Sequence, residues 1–297
     1  MIPMSRRQWT LLSTAFAFPS QPRLASLAQD QASGLQLSLS ERSLHRNLTS
    51  GRLDHLDIVS VMASEFQIRS IDYASRFFRT RLEDEGYLKE LNKRAADEGV
   101  RRVWLLMDGE GHLAAEDKGR RSIAVRTFRK WMDISSTLGC RGICLQILGD
   151  GPAKEQMSRA EESLATLVEY GDKNKIDVAV ANNVGVAKDA RWLLRLTDQI
   201  KSPRFGPFLI FHDFNTGSLT TDDDSMLSKA KGVCIALDDV DEEDSRLAAN
   251  FERFIQGIVD SNYGGYVCVE YTGDAADELS EIQAIRAMID RFPESMK

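Results

Sequence analysis

The sequence predicts an α/β barrel built from eight strand–helix units. Short apolar runs of strand type alternate with amphipathic stretches of helical period from residue 35 to residue 292. Near-continuous apolar strands separated by helices are typical of a parallel sheet that is covered on its outer face. Eight such units fit a closed (β/α)8 TIM barrel better than an open doubly wound sheet. The chain also lacks the glycine-rich and Walker sequences of nucleotide-binding open sheets.

The predicted strands are rich in β-branched and aromatic residues, and each ends at polar residues or glycine. They cover residues 35–39, 68–73, 102–107, 142–148, 176–180, 207–211, 232–237 and 264–273. In the last of these, Glu270 shares a face with Cys268 and Tyr266, two and four residues before it. A carboxylate in a buried strand is costly unless it is paired, bound to a metal or open to a cleft. We therefore expect Glu270 to point into the mouth of the barrel.

The predicted helices follow the strands in order and show the spacing of one apolar face. They cover residues 53–66, 84–98, 120–138, 154–170, 190–200, 223–230, 246–260 and 277–292. Gly99 and Gly139 come directly after two of them, as expected for glycine at a helix C-terminus. Trp104 is expected to pack outside the barrel against a helix, and His55 to lie on the surface of one.

Composition and charge limit the partners. The 297 residues are 42% hydrophobic and 28% charged, as in ordinary globular proteins, and the formal net charge is −7. An acidic chain repels phosphate backbones and anionic lipids, so we expect neither nucleic acid nor membrane as a partner of the mature protein. No Cys-x-x-Cys pair occurs, which argues against structural zinc. The four cysteines are expected to be buried free thiols.

The N-terminus resembles a bacterial twin-arginine export signal. Arg6 and Arg7 precede an apolar run at residues 9–18, which is too short for the roughly 20 residues that span a bilayer. We expect residues 1–30 to be a leader and residues 31–297 to form one barrel domain. The protein would then be periplasmic or otherwise exported; a cytoplasmic protein with a disordered leader is the alternative.

Polar side chains follow most of the predicted strands, at the end of the barrel where active sites lie. Polar loops are common, and His212, Asn182 and Asn183 could simply bond to nearby backbone groups. Asp213 and Glu270 are different, because each lies at the end of a buried apolar run. The candidate site residues are His45, Asp108, Glu110, His112, Gln146, Asn182, Asn183, His212, Asp213 and Glu270.

The order and spacing of several short segments resemble the xylose isomerase-like barrels, in particular the bacterial sugar phosphate isomerase/epimerase branch. The resemblance covers nearly the whole chain after the leader. Its segments are Ser43-Leu44-His45-Arg46, Asp108-Gly109-Glu110-Gly111, Asn182, Phe205-Gly206, Asp213-Phe214, Lys231-Gly232-Val233 and Gly265-Tyr266-Val267 with Val269-Glu270-Tyr271.

This resemblance implies a divalent metal ion in the barrel mouth. The family pattern holds it with a Glu after strand five, an Asp after strand six, a His or other polar residue on strand seven and a Glu at the end of strand eight. By that pattern Asp213 and Glu270 are metal ligands and catalytic acid/base groups, and the other candidates contact sugar hydroxyls. The ion would be Mn²⁺, Mg²⁺ or Zn²⁺, and it would stabilise the enediolate formed by proton removal.

The sequence departs from this pattern at two of the four ligands. Strand five ends in Ala181 where the family has Glu, and strand seven offers only Cys234 or Ala236. The ligand set is therefore incomplete, and a protein that binds no metal ion is the alternative. One interpretation is a divergent isomerase/epimerase of a sugar or sugar phosphate, and the alternative is an inactive carbohydrate-binding barrel. Endonuclease IV-like nucleases share the barrel but need more histidines than the four present. The sequence leaves open whether the protein forms a homo-oligomer.

Overall fold

The computed structural model describes residues 36–212, 225–238, 245–261 and 263–291. Within them eight strands form one closed barrel in the order β1 to β8, and every neighbouring pair is parallel. The strands are Gln36–Ser40 (β1), Ser70–Ala74 (β2), Arg101–Leu106 (β3), Gly142–Leu145 (β4), Asp177–Ala181 (β5), Phe205–Phe211 (β6), Gly232–Leu237 (β7) and Tyr266–Tyr271 (β8). The predicted (β/α)8 fold is confirmed.

Helices follow the strands and pack around the barrel. They are His45–Thr49 (α1), Ile58–Glu65 (α2), Glu85–Asp97 (α3), Lys118–Thr137 (α4), Ala153–Asn174 (α5), Ala190–Ile200 (α6), Ser245–Asp260 (α7) and Glu278–Asp290 (α8). Of the short helix predicted at 223–230, residues 225–227 are helical and residues 223–224 lie outside the described residues. The predicted leader at residues 1–30 also lies outside them and stays a prediction.

Local signals explain where several helices begin and end. Asp84, Asp117 and Asp189 each accept a backbone N–H of the first turn of α3, α4 and α6. Gly99 and Gly139 follow α3 and α4 with φ of 66° and 72°, which favours glycine and confirms the predicted C-terminal caps. In the described residues no helix is both long and apolar enough to span a bilayer.

Strand β4 is shorter than predicted. It ends at Leu145, whereas the apolar run continues to Leu148. The continuation is a buried loop in which Ile147 is fully buried and one bridge pairs Gly149 with Ala114. Ile147 is buried in this loop just as a strand residue would be, so the run of apolar residues does not show where the strand ends.

Two apolar layers fill the molecule, one between barrel and helices and one inside the barrel. Trp104 belongs to the inner layer, so its predicted outer position is wrong. Its ring stands perpendicular to that of Phe208, with centroids 5.6 Å apart. Gly142 and Gly232 make room for the two rings, because a Cβ there would lie 2.8 Å from Trp104 and 2.4 Å from Phe208.

The N-terminal ends of the strands carry an ionic cluster that we call the barrel base, made of Arg141, Asp177 and Arg204. Asp177 at the start of β5 accepts hydrogen bonds from Arg141 at 2.8 Å and Arg204 at 2.9 Å. A cavity of about 230 Å³ opens beside it, lined among others by Arg141, Lys231 and Tyr263. The barrel base lies at the opposite end from the strand ends where the candidate site residues were predicted.

Candidate active site in the barrel mouth

Glu270 lies one residue before the end of β8, in register with Ala236 of β7. Two residues earlier, Cys268 belongs to the apolar layer inside the barrel. Because side chains alternate along a strand, Glu270 points inward as well. Its side chain is largely buried. The position is the one predicted, and its role stays a prediction.

Arg42 is the main partner of Glu270, and sequence reasoning missed it. It lies in a short turn, Glu41–Leu44, directly after β1. One terminal nitrogen, Nη1, is 3.6 Å from the Glu270 carboxylate. The other, Nη2, is 2.9 Å from Asp108 and donates to the Met107 carbonyl at 3.2 Å. Burial lowers the pKa of Arg42, but the carboxylates of Glu270 and Asp108 outweigh it, and the pKa is raised overall.

Asp108 and Glu110 follow β3 and are both held by arginines. Arg76 makes a two-armed contact with Asp108 at 2.8 and 3.0 Å, and Arg79 bonds to Glu110 at 2.9 Å. Burial raises the pKa of Asp108, yet the hydrogen bonds from Arg76 and the charge of Arg42 bring it below its ordinary value. Asp108 is therefore ionised, and both carboxylates are anchored beside the mouth with less freedom to bond a sugar than the sequence suggested.

His45 is turned toward α8. Its Nδ1 lies 3.1 Å from Glu278, and that buried carboxylate also accepts the backbone N–H groups of Arg46 and Asn47. Glu278 thus satisfies the first N–H groups of α1 and ties that helix to α8. The contact with sugar predicted for His45 would have to come from its Nε2.

The amide side chains after β4 and β5 extend the sheet. Asn182 Oδ1 accepts the Ile210 N–H at 2.8 Å, which continues the pairing of β5 with β6. Gln146 lies 3.5 Å from Asn183 across the neighbouring strand ends. These three residues come together, while His212 is exposed at the end of β6. Asp213 lies outside the described residues.

Two further histidines differ in their surroundings. His112 is half-buried, and its Nδ1 is buried with no hydrogen-bond partner among the described residues. His55 was expected on the surface but is inserted between Glu41 and Tyr87, bonded to both, and packs edge-on against Phe78. Glu41 is fully buried and also accepts the Ala74 N–H at 2.8 Å. This network fixes the loops after β1 and β2.

Asp72 lies inside the barrel below the mouth. It is fully buried, accepts a hydrogen bond from Ser38 at 2.6 Å and accepts the Trp104 N–H at 2.9 Å. Burial raises the pKa of Asp72 to about 6, against the opposing effect of the Ser38 hydrogen bond. Asp72 is therefore a proton-binding group in the native state at mildly acidic pH.

The described residues do not fit the metal ion that the family pattern implies. Ala181 places a buried methyl group at the strand-five position, and Glu270 is already paired with Arg42. The thiols of Cys144 and Cys268 are buried, which raises their pKa and keeps them neutral. Among the described residues no group of three or more His, Cys, Asp or Glu side chains could hold an ion.

The fold and the polar mouth define an α/β barrel with the active-site layout of barrel enzymes. The model of the xylose isomerase-like TIM barrel family matches residues 62–292, and the chain belongs to that family. No curated protein matches the chain significantly.

Solved structures with similar folds include sugar epimerases. A D-psicose 3-epimerase studied with D-fructose has a TM-score of 0.68 and 12% identity, over 88% of this chain and all of that chain. The D-psicose 3-epimerase of Clostridium cellulolyticum, studied with D-tagatose, has a TM-score of 0.62 and 13% identity, over 88% and 94%. A xylose isomerase domain protein of Planctomyces limnophilus has a TM-score of 0.64 and 13% identity, over 87% and 96%. At these identities the likeness concerns the fold.

Proposed function

We propose that the protein is a divergent sugar isomerase or epimerase that moves a proton next to a carbonyl group. The observation that carries the proposal is Glu270, a carboxylate that faces inward at the end of β8, where barrel enzymes place their chemistry. The family and the epimerases among the similar folds support a small sugar as the substrate.

The proposed reaction needs a base on one side of the sugar carbon and an acid that returns the proton. Glu270 is the first of these groups, and Asp213, two residues beyond the end of β6 in the sequence, is the second. Gln146, Asn183 and His212 would bind hydroxyl groups at the rim, beside Asn182. His112 would contribute its unpartnered Nδ1. No part of this scheme passes through a metal ion, because the described donors do not fit Mn²⁺, Mg²⁺ or Zn²⁺.

A second candidate is a carbohydrate-binding barrel without catalysis. The observation that favours it is the combination of Ala181 with the Arg42–Glu270 contact, which leaves the site without one carboxylate and holds another in an ion pair. Such a protein would bind sugar in the same mouth and release it unchanged.

Proton exchange in heavy water separates the two candidates. The purified protein is incubated in D2O with D-fructose, D-psicose, D-tagatose and D-fructose 6-phosphate, and NMR follows deuterium uptake at the carbon next to the carbonyl. We expect uptake with one of these ketoses and a loss of about 100-fold or more in Glu270→Gln. Glu169→Gln, on the exposed face of α5, is the matched control and should keep full activity.

Two outcomes contradict the enzyme proposal. Equal deuterium uptake by the wild type and Glu270→Gln would remove Glu270 from the chemistry. Thermal stabilisation by a ketose without any deuterium uptake would support the binding protein instead. Export is proposed on the leader alone, and N-terminal sequencing of periplasmic protein would test whether residues 1–30 are removed.

A further inference from the structure

We propose that the guanidinium of Arg42 is the resident cation of the barrel mouth, and that it replaces the divalent ion of the family pattern and excludes it. The inference about charge and metal exclusion stands on the geometry alone. Its catalytic part, in which Arg42 stabilises negative charge on the substrate oxygen, rests on the proposed function.

The first argument is the position of the guanidinium. Arg42 starts from the loop after β1 and contacts the ends of β3 and β8, through Met107, Asp108 and Glu270. These contacts bridge the ends of two strands and place the charged group in the mouth, beside the carboxylate that the family pattern gives to the metal.

The second argument is the balance of charge. The family pattern sets three carboxylates around an ion of charge +2, which leaves one negative charge. Here Ala181 removes one carboxylate, and Arg42 supplies one positive charge in place of two. Arg42 also contacts Asp108, which is bonded to Arg76, so the described cluster of two arginines and two carboxylates carries no net charge. A divalent ion added to this balanced cluster would give it an excess of positive charge.

The third argument is the permanence of the charge. Arginine stays protonated in proteins, so Arg42 keeps its positive charge although it is buried. Its Nε is buried and has no hydrogen-bond partner among the described residues, so the group is held by its two terminal nitrogens. A fixed positive charge in a water-poor site stabilises an oxygen that becomes negative during a reaction. A metal ion entering the same site would meet this charge at close range.

Manganese binding tests the exclusion. Electron paramagnetic resonance measures free Mn²⁺ during titration of four proteins: the wild type, Ala181→Glu/Asn183→His, the same pair with Arg42→Ala, and the same pair with Arg141→Ala as the control at the barrel base. We expect the restored ligands alone to bind poorly, because Arg42 remains. Removal of Arg42 should then raise Mn²⁺ affinity about tenfold or more, and removal of Arg141 should leave it unchanged.

Circular dichroism shows whether each variant folds, and Arg42→Met replaces Arg42→Ala if the smaller residue does not. Arg42→Lys in the same background keeps the charge and should still exclude Mn²⁺. The proposal is overturned if the restored ligands bind Mn²⁺ equally well with and without Arg42, or if the wild type itself binds Mn²⁺ tightly.

Deuterium exchange tests the catalytic part separately. Exchange by the wild type should survive treatment with EDTA, fall by about 100-fold or more in Arg42→Ala and recover in part in Arg42→Lys. Loss of activity on chelation would show that a metal ion supplies the charge. A wild type without any exchange would defeat the proposed function, while the manganese result would still decide whether Arg42 excludes the ion.

Discussion

The two ends of the barrel both carry arginine–carboxylate clusters, but the arrangement is reversed. At the barrel base one carboxylate, Asp177, lies between Arg141 and Arg204, whose side chains are 47% and 32% exposed. At the mouth one arginine, Arg42, lies between Asp108 and Glu270, and its side chain is only 15% exposed. The base keeps its cations in water, whereas the mouth keeps its cation buried.

This difference in burial bears on the function proposed for the mouth. Exposed ion pairs add little to stability and need no special explanation. A buried ion pair usually stabilises no better than apolar residues of the same size, because both charges lose their hydration. A barrel selected for stability alone would fill its mouth with apolar side chains. The buried charges of Arg42 and Glu270 therefore point to chemistry at the mouth.

The comparison predicts the largest loss of stability for the substitution Arg42→Met. The substitution keeps much of the side-chain volume but leaves Glu270 buried without its cation. We expect the free energy of unfolding to fall by about 3–5 kcal/mol, measured by urea denaturation. Adding Glu270→Gln should restore part of the loss, since the unpaired charge is then gone. A loss below about 1 kcal/mol would mean that the mouth is as hydrated as the base.

The next largest effect is the pH dependence of stability that we expect from Asp72, just below the mouth. Its pKa is about 6 in the native protein, and an unfolded aspartate titrates near 3.8. Between these values the native state holds more protons, so the free energy of unfolding should fall as pH rises from about 4 to about 6. The shift corresponds to about 3 kcal/mol of stability, which is fully present below this pH range and lost above it.

Asp72→Asn is the matched variant, because its amide oxygen can accept the Trp104 N–H and its NH2 group can donate to the Ser38 oxygen, while the amide does not titrate. Denaturation from pH 4 to pH 8 should show a flatter stability profile in this variant than in the wild type. Identical slopes in the two proteins would mean that Asp72 keeps an ordinary pKa.

The smallest effect is expected at the barrel base. In Arg141→Met, Asp177 keeps its bond to Arg204, and the lost cation is half exposed. We expect less than about 1 kcal/mol of destabilisation in urea, and a smaller difference still in about 1 M salt, where screening is strong. A loss as large as that of Arg42→Met would remove the distinction between the two ends.

The sequence was sufficient for the fold because eight apolar runs with glycine or polar ends leave few alternatives to a closed barrel. It also located Glu270, since a carboxylate at the end of an apolar strand needs a charged partner, a metal ion or an opening. It could not locate Arg42, because an arginine just after a strand looks like any solvated loop residue. Only the closed ring brings the end of β1 within reach of β3 and β8.

Trp104 and His55 show a second limit of prediction from the sequence. Both faces of a barrel strand are buried, so hydrophobic alternation is absent and nothing in the sequence separates inside from outside. Trp104 lies inside because Gly142 and Gly232 leave space for it, and that space depends on partners far along the chain. His55 sits on a helical stretch with polar neighbours, and its insertion depends on Glu41 and Tyr87 from two other segments.

The perpendicular rings of Trp104 and Phe208 affect how a small molecule can pass into the barrel. They obstruct the lumen between the two ends, and the surrounding side chains are packed apolar groups. These packed side chains close the barrel between the mouth and the barrel base. A small molecule that binds at the mouth would enter and leave through the same opening, so under the proposed function product release and substrate entry would share one passage.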